Sequence, residues 1–233
     1  MQIEIWSDVV CPWCFIGKRR LEKALAGFDH PVDVVYRSYQ LDPSAPVVPT
    51  ETVAESLGRK YGGGPDAGRK MVEQVEAVAA EEGLLFRLGE AQRANTVDAH
   101  RLLHLALAEG GAAQQRALKE ELLAAYFLRV ENPADHEVLT AAAISVGLDE
   151  SRVRAVLAGD EFREAVFADI DRANDLGATG VPFFVIDQKY GIPGAQPVEV
   201  FTQVLERAWS ESHPTLQVVG GDGETCGPDG CAV

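Results

Sequence analysis

The sequence predicts an α/β fold: a small mixed sheet flanked by helices and interrupted by an all-helical insertion. Three stretches predict it. Residues 3–41 read strand, helix, strand; residues 51–159 carry only helical periodicity; residues 181–210 return to strand, hairpin and helix. A helix between two strands is a crossover, which implies a parallel pair with a right-handed connection. The late hairpin adds antiparallel strands to it.

Taken in order, Ile3-Glu4-Ile5-Trp6 is short, apolar and partly alternating, as a strand entering a core should be. It runs into Cys11-Pro12-Trp13-Cys14, after which Phe15, Leu21, Leu25 and Phe28 continue a helical apolar stripe. The first turn of a helix carries unpaired N–H groups and the positive end of the helix dipole, both of which favour a thiolate. Cys11 is therefore expected to be the more acidic thiol. Pro12 suits the first helical position, where a missing N–H costs nothing. Cys14, one turn further in, is placed to resolve a mixed disulfide formed by Cys11, so the pair can cycle between dithiol and disulfide. Two other uses stay open at this point. With Cys226 and Cys231 the chain has four thiols, enough on count for a zinc site, although zinc knuckles usually lie on glycine turns and Trp13, Phe15 and Ile16 read as a packed helix. The cysteines could also be merely small core residues.

Pro31 to Leu41, with Val32, Val34, Val35, Tyr36 and Tyr39, reads as the second strand. Asp42-Pro43-Ser44-Ala45-Pro46 and then Pro49 form a linker that continues neither strand nor helix. The implied division is 1–45 and 161–213 for the two parts of one sheet domain, 46–160 for a helical insertion and 214–233 for a flexible tail. Within the insertion, apolar stripes run from Met71 to Ala79, Val97 to Leu107, Leu118 to Val130 and Val138 to Val146. Gly62-Gly63-Gly64-Pro65 matches no phosphate-binding pattern and reads as a turn. His100 and His104 share a helix face but lack the glutamate of a zinc hydrolase motif, so they read as surface or hydrogen-bonded core histidines. Asp160 to Asn174 is an amphipathic helix with Phe162, Val166, Phe167 and Ile170 on one side. Val181-Pro182-Phe183-Phe184-Val185-Ile186 is a buried strand by composition, Tyr190 to Ala195 a short edge strand, and Pro197 to Ser210 a closing helix with Val200, Phe201, Val204, Leu205 and Trp209 inward.

A chain of 233 residues with 46% hydrophobic content can bury a sizeable core, yet no stretch approaches the length of a membrane span. A formal charge of −15 argues against nucleic acid as a partner. The first residues go straight into a strand without a signal core, which points to the cytoplasm, and a monomer is the default with a dimer left open. In the tail, Pro228-Asp229 between glycines can reverse the chain and bring Cys226 near Cys231, as a second redox pair, an inert end or an adventitious metal binder.

Cys11-Pro12-Trp13-Cys14 after a first strand, an interrupting helical region, then Thr179-Gly180-Val181-Pro182-Phe183-Phe184 before a hairpin and last helix resemble a DsbA-like thioredoxin-fold protein, most of all the cytoplasmic FrnE-like branch. The resemblance covers residues 1–212. It implies a thioredoxin fold split by a helical domain, a cis Val181-Pro182 peptide beside the cysteines, and a Val181 backbone that pairs with a client as an added strand. It implies Cys11 as nucleophile, Cys14 as resolving thiol, and Pro12 and Trp13 as tuning residues. Glu4 is the match for the family's buried proton-relaying acid if one residue is inserted before Cys11, with Asp8 as its rival and an exposed strand residue as the plain alternative. The related glutathione-dependent isomerases of the 2-hydroxychromene-2-carboxylate type and kappa-class glutathione transferases share Asn95-Thr96 before a helix, but there a serine usually stands at the place of Cys11. The expected activity is thiol–disulfide exchange on client proteins or small thiols through a mixed disulfide, without organic cofactor or metal, with glutathione as an optional co-substrate. The alternatives are the isomerase or transferase chemistry, or a zinc-bound, holdase-like protein that is no enzyme.

Overall fold

The apolar run at the start forms β1 (Gln2–Ser7), and its pleat sends Ile3 and Ile5 to one face and Glu4 and Trp6 to the other. A computed structural model describes the chain over residues 1–214 and at 226, 227, 230 and 231. β2 (Asp33–Ser38) lies parallel to β1 with Ile3 opposite Val34, and β3 (Phe183–Ile186) lies antiparallel with Ile5 opposite Phe184. β4 (Tyr190–Pro193) completes the mixed sheet in the order β2-β1-β3-β4. One face packs on α1 (Pro12–Ala26) and α8 (Val198–Ser212) through Leu21, Phe201 and Leu205. The other lies under α7 (Arg163–Asp175), where Trp6 meets Ala173 and donates its indole N–H to the Asp169 carbonyl at 2.7 Å.

Between β2 and α7 run α2 (Val53–Tyr61), α3 (Gly64–Glu81), α4 (Val97–Phe127), α5 (His136–Ser145) and α6 (Glu150–Ala158). α2 starts on a capping box in which Thr52 and Glu55 satisfy each other's backbone N–H groups. It packs so closely on α3 that a Cβ at Gly68 would stand 1.9 Å from the Ala54 carbonyl oxygen. α1 serves two cores: its later residues join the sheet, while Phe15 stacks on Phe86 at 5.7 Å and meets Phe127 at 6.1 Å. Those contacts anchor the helical region to the helix that carries the cysteines.

Three details differ from the periodicity. The stripes at Val97 and Leu118 belong to one helical run kinked at Gly111, whose φ of 71° and ψ of −172° let two helices abut without a loop. The helix expected from Asp160 begins at Arg163, after Phe162 at φ 63°, and its buried face is Val166, Asp169 and Ala173 while Phe167 is exposed. An acid takes a place in that face because Asp169 finds donors there, the Ser38 N–H at 2.9 Å and His104 at 3.1 Å. The inward face of α8 is centred on Phe201, Leu205 and an added Ala208, with Val200 and Val204 packed, partly buried, against the same core.

Near the end of the chain, β5 (Cys226–Gly227) and β6 (Gly230–Cys231) pair antiparallel with Cys226 opposite Cys231, so the chain does reverse there. The expectation of a flexible tail over 214–233 falls for the most part on residues 215–225, 228–229 and 232–233, which lie outside the described residues. Among the described residues no helix is long and apolar enough to cross a membrane.

Candidate active site

The strand-to-helix handover places both cysteines. Cys11 is the N-cap of α1 in extended conformation, Pro12 opens the helix, and the Cys14 N–H donates to the Cys11 carbonyl at 3.0 Å. Both are free thiols and almost fully buried, at 2% and 4% exposure. The two thiols lie close together and perturb each other's ionisation. The Cys11 thiol also reaches the Val181 carbonyl at 3.5 Å, and the Val181–Pro182 peptide is cis. Cys11, Pro12, Trp13 and Val181 therefore sit together, as the resemblance implied.

Cys11, and not Cys14, lines a groove of about 360 Å³. Trp13 and Val181 form its near side, Leu57 and Tyr61 of α2 and Met71 and Val75 of α3 the far side. The walls are thus apolar and come largely from the helical insertion. Trp13 and Tyr61 are exposed on its rim.

Beneath the pair lies a charged floor. Lys119 of α4 is fully buried, with its ammonium 3.4 Å from the Ser7 carbonyl and 5.6 Å from the centroid of the Tyr36 ring. Burial pushes this lysine down to about 8, against the pull of Cys14, Asp8 and Cys11, which favour its charge. Asp8 accepts from the Val9 N–H and the Leu41 N–H at 2.7 Å each and from His100 Nε2 at 3.1 Å. Burial alone would raise its carboxyl, but His100, the Leu41 N–H and Lys119 outweigh it and hold Asp8 below the usual carboxylate range. His100 is lowered by the same burial, against Asp8, and so serves as a neutral donor. Both histidines of the shared helix face are hydrogen-bonded core residues, since His104 binds Ser38 and Asp169.

The surroundings push the two thiols in opposite directions. The neighbouring Cys14 side chain, and then burial, push the Cys11 thiol up. Cys14 is raised by burial but lowered further by the Cys11 thiol, Lys119 and Ser7, so the first negative charge of the pair rests on Cys14. This reverses the expectation that Cys11 is the more acidic thiol. The N-terminus of α1 does favour a Cys11 thiolate through the Cys14 N–H, but the Cys14 side chain and burial outweigh it. The sequence signal for Lys119 was its phase, four residues after the buried Gln115 and one after the buried Leu118.

Glu4 is not brought to the cysteines. Its carboxylate is held by Arg37 at 2.7 Å and Arg172 of α7 at 2.9 Å, on the sheet face opposite α1. One residue of pleat decides this: Ser7, and not Glu4, shares the face of Ile3 and Ile5 on which α1 packs. The carboxylate beside the pair is that of Asp8.

A thioredoxin-type sheet with a cysteine pair at the start of its first helix and a cis proline facing it defines the broad class of this molecule. More narrowly, a family model described as a DSBA-like thioredoxin domain matches residues 2–206, and the chain belongs to that family. A probable DsbA oxidoreductase from Streptomyces coelicolor is 45% identical, with a TM-score of 0.85 over 100% of this chain and 99% of its own. The cytosolic disulfide reductase DsbM from Pseudomonas aeruginosa, solved with GSH, shares the fold at 18% identity and a TM-score of 0.60, over 90% of this chain and 99% of its own. A 2-hydroxychromene-2-carboxylate isomerase shares it at 16% identity and a TM-score of 0.67, over 91% and 98%.

Proposed function

We propose that the protein is a thiol–disulfide oxidoreductase acting in the cytoplasm on disulfides of proteins or small thiols. The observation that carries this reading is the adjacent pair of free thiols, Cys11 and Cys14, of which Cys11 alone lines an apolar groove beside Val181. Transfer of the Cys11 proton to Cys14 frees Cys11 to attack a client sulfur. A mixed disulfide forms and one client thiolate leaves. Cys14 then gives up the proton, attacks Cys11 Sγ and releases the second client sulfur, so the protein closes its disulfide as the client gains two electrons. The reverse sequence oxidises a client dithiol. An extended client lying in the groove can pair with the Val181 backbone. Glutathione is an optional co-substrate, and no metal or organic cofactor takes part. Cys226 and Cys231 are a second pair able to exchange with the first, supported by their facing positions on β5 and β6.

Glutathione redox buffers, with thiols counted by mass in a Cys226→Ser/Cys231→Ser background, test the reading. A reversible two-electron transition is expected, absent in Cys11→Ser. Glutathione binding with no Cys11–Cys14 disulfide at any ratio would instead support the isomerase or transferase chemistry.

A further inference from the structure

Helix α2 stands between two depressions. On one side lies the groove that Cys11 lines, whose walls carry no lysine, arginine or carboxylate. On the other is a hollow of about 130 Å³, and Val10, Leu41, Val53 and Leu57 line both, so the two are joined across an apolar sill. The hollow differs in its far wall, where Asp42 of the linker and Arg93 before α4 meet Ser56 and Lys60 of α2. Ser56 and Lys60 are one helical turn apart and share a face. Arg93 is already engaged by Asp42 and the Ser44 hydroxyl, and Arg59, next to Lys60, by Glu51. Lys60 alone of these cations pairs with no carboxylate among the described residues. Its ammonium rests 5.5 Å from the centroid of the Tyr61 ring, which is exposed on the rim of the Cys11 groove. In a chain with a formal charge of −15, the hollow is locally positive, with Lys60 and Arg93 set against Asp42.

We propose that this hollow is a subsite for an acidic side chain of the client, so that the disulfides handled by Cys11 are those of polypeptide segments with apolar residues beside the cysteine and a carboxylate beyond them. The proposal rests on the redox reading of Cys11 and Cys14 and names its substrate class. An extended segment paired with the Val181 backbone presents alternate side chains to one face. The apolar groove can hold such side chains but sets no direction along the segment, because burial of apolar surface is non-directional. An unpaired ammonium at one end does set one. A glutamate stem crossing the sill at Val53 and Leu57 brings its carboxylate toward Lys60, with the Ser56 hydroxyl as a further donor. Asp42 opposes it little, since Arg93 neutralises that carboxylate. Glutathione is polar throughout and leaves the apolar walls between Cys11 and Lys60 uncovered, so a polypeptide is the better occupant.

The test uses reduced protein in the Cys226→Ser/Cys231→Ser background and peptides whose single cysteine, flanked by leucines, is carried as its 2-thiopyridyl disulfide. The Cys11 thiolate attacks the peptide sulfur, and the pyridinethiolate leaves and takes up a proton. Cys14 then attacks Cys11 Sγ, which closes the protein disulfide and releases the peptide thiol. The absorbance of the released thiopyridone gives the rate. A glutamate is moved one residue at a time away from the cysteine on either side, and each peptide is compared with its glutamine counterpart. At one spacing the glutamate peptide is expected to react about three-fold faster at low salt, the scale of an exposed ion pair, and the preference should fade at high salt. Lys60→Met should abolish the preference and Lys60→Glu should turn it toward glutamine. Equal rates for the two peptides at every spacing, or a preference that persists in Lys60→Met, would overturn the proposal while leaving the redox reading standing. A loss on Lys60→Met as large with glutathione disulfide as with the glutamate peptide would assign the hollow to a small thiol and overturn the polypeptide class. If the parent protein releases no thiopyridone, the redox reading fails. Fluorescence anisotropy of labelled peptides with serine in place of cysteine then decides the subsite: tighter binding of the glutamate peptide supports it, and equal binding overturns it.

Discussion

The carboxylate of Asp8 has no access to water, and its bonds tie the turn after β1 to Leu41 and to His100 of α4. Replacing Asp8 by Asn keeps the shape but removes the charge and turns one acceptor into a donor facing N–H groups. Asp8→Asn is expected to cost about 3 kcal/mol at neutral pH, read as a lower urea midpoint. Because the folded carboxyl lies below its ordinary value, its contribution is present above the ordinary carboxylate range and is lost as the pH falls through the depressed value. The gap between parent and variant should therefore close in acid. At this scale the sequence was partly legible. Cys11, Cys14, Val181 and Pro182 were marked by spacing and resemblance, and they do meet. Glu4 was misplaced because a strand sends alternate residues to opposite faces, and a family pattern shifted by one residue crosses the sheet. Lys119 drew no reading inside the stripe from Leu118 to Val130, since nothing in a local pattern says which cation will be buried.

Helix α4 does more than fill space. Arg101, fully buried on it, donates to the carbonyls of Val156, Gly159 and Glu161 and to Asp98, which closes the C-terminal end of α6 against α4. Cationic donors suit a helix C-terminus, where carbonyls lack partners. Arg101→Met should strand at least two of those carbonyls and cost about 3 kcal/mol, with amide exchange rising first across α6. Strands and helix types were readable in the sequence because each rests on local chemistry; the caps of α2 and α6 are as local, Asp149 accepting the Arg152 N–H through its side chain. The continuity of α4 was not. A glycine pair between two apolar stripes reads as a break, and only the packed structure shows the chain kinking at Gly111 and carrying on.

On the scale of the whole molecule, the sheet and the helical region share their working parts. α1 carries the cysteines and stacks Phe15 on the aromatic core of the helices, α2 and α3 wall the groove, and α4 supplies Lys119. The division into sheet and helical stretches was legible from the change in periodicity. Its closeness was not, because contacts across a hundred residues leave no local trace. β2 is an edge strand, and the side-chain amide of Gln115 on α4 binds both the N–H and the carbonyl of Tyr36 at 2.9 Å, as a neighbouring strand would. Gln115→Leu would leave both groups without partners and should cost roughly 2–4 kcal/mol, read by thermal unfolding.

That single amide also limits how far the molecule can be simplified. A minimal version made by excising the helices would uncover a strand whose hydrogen-bonding edge is shaped to receive a partner, and such edges recruit other chains. The helices are thus no detachable ornament on an older module. They cover the outer edge of β2, and a trimmed version would need another cover for the Tyr36 backbone.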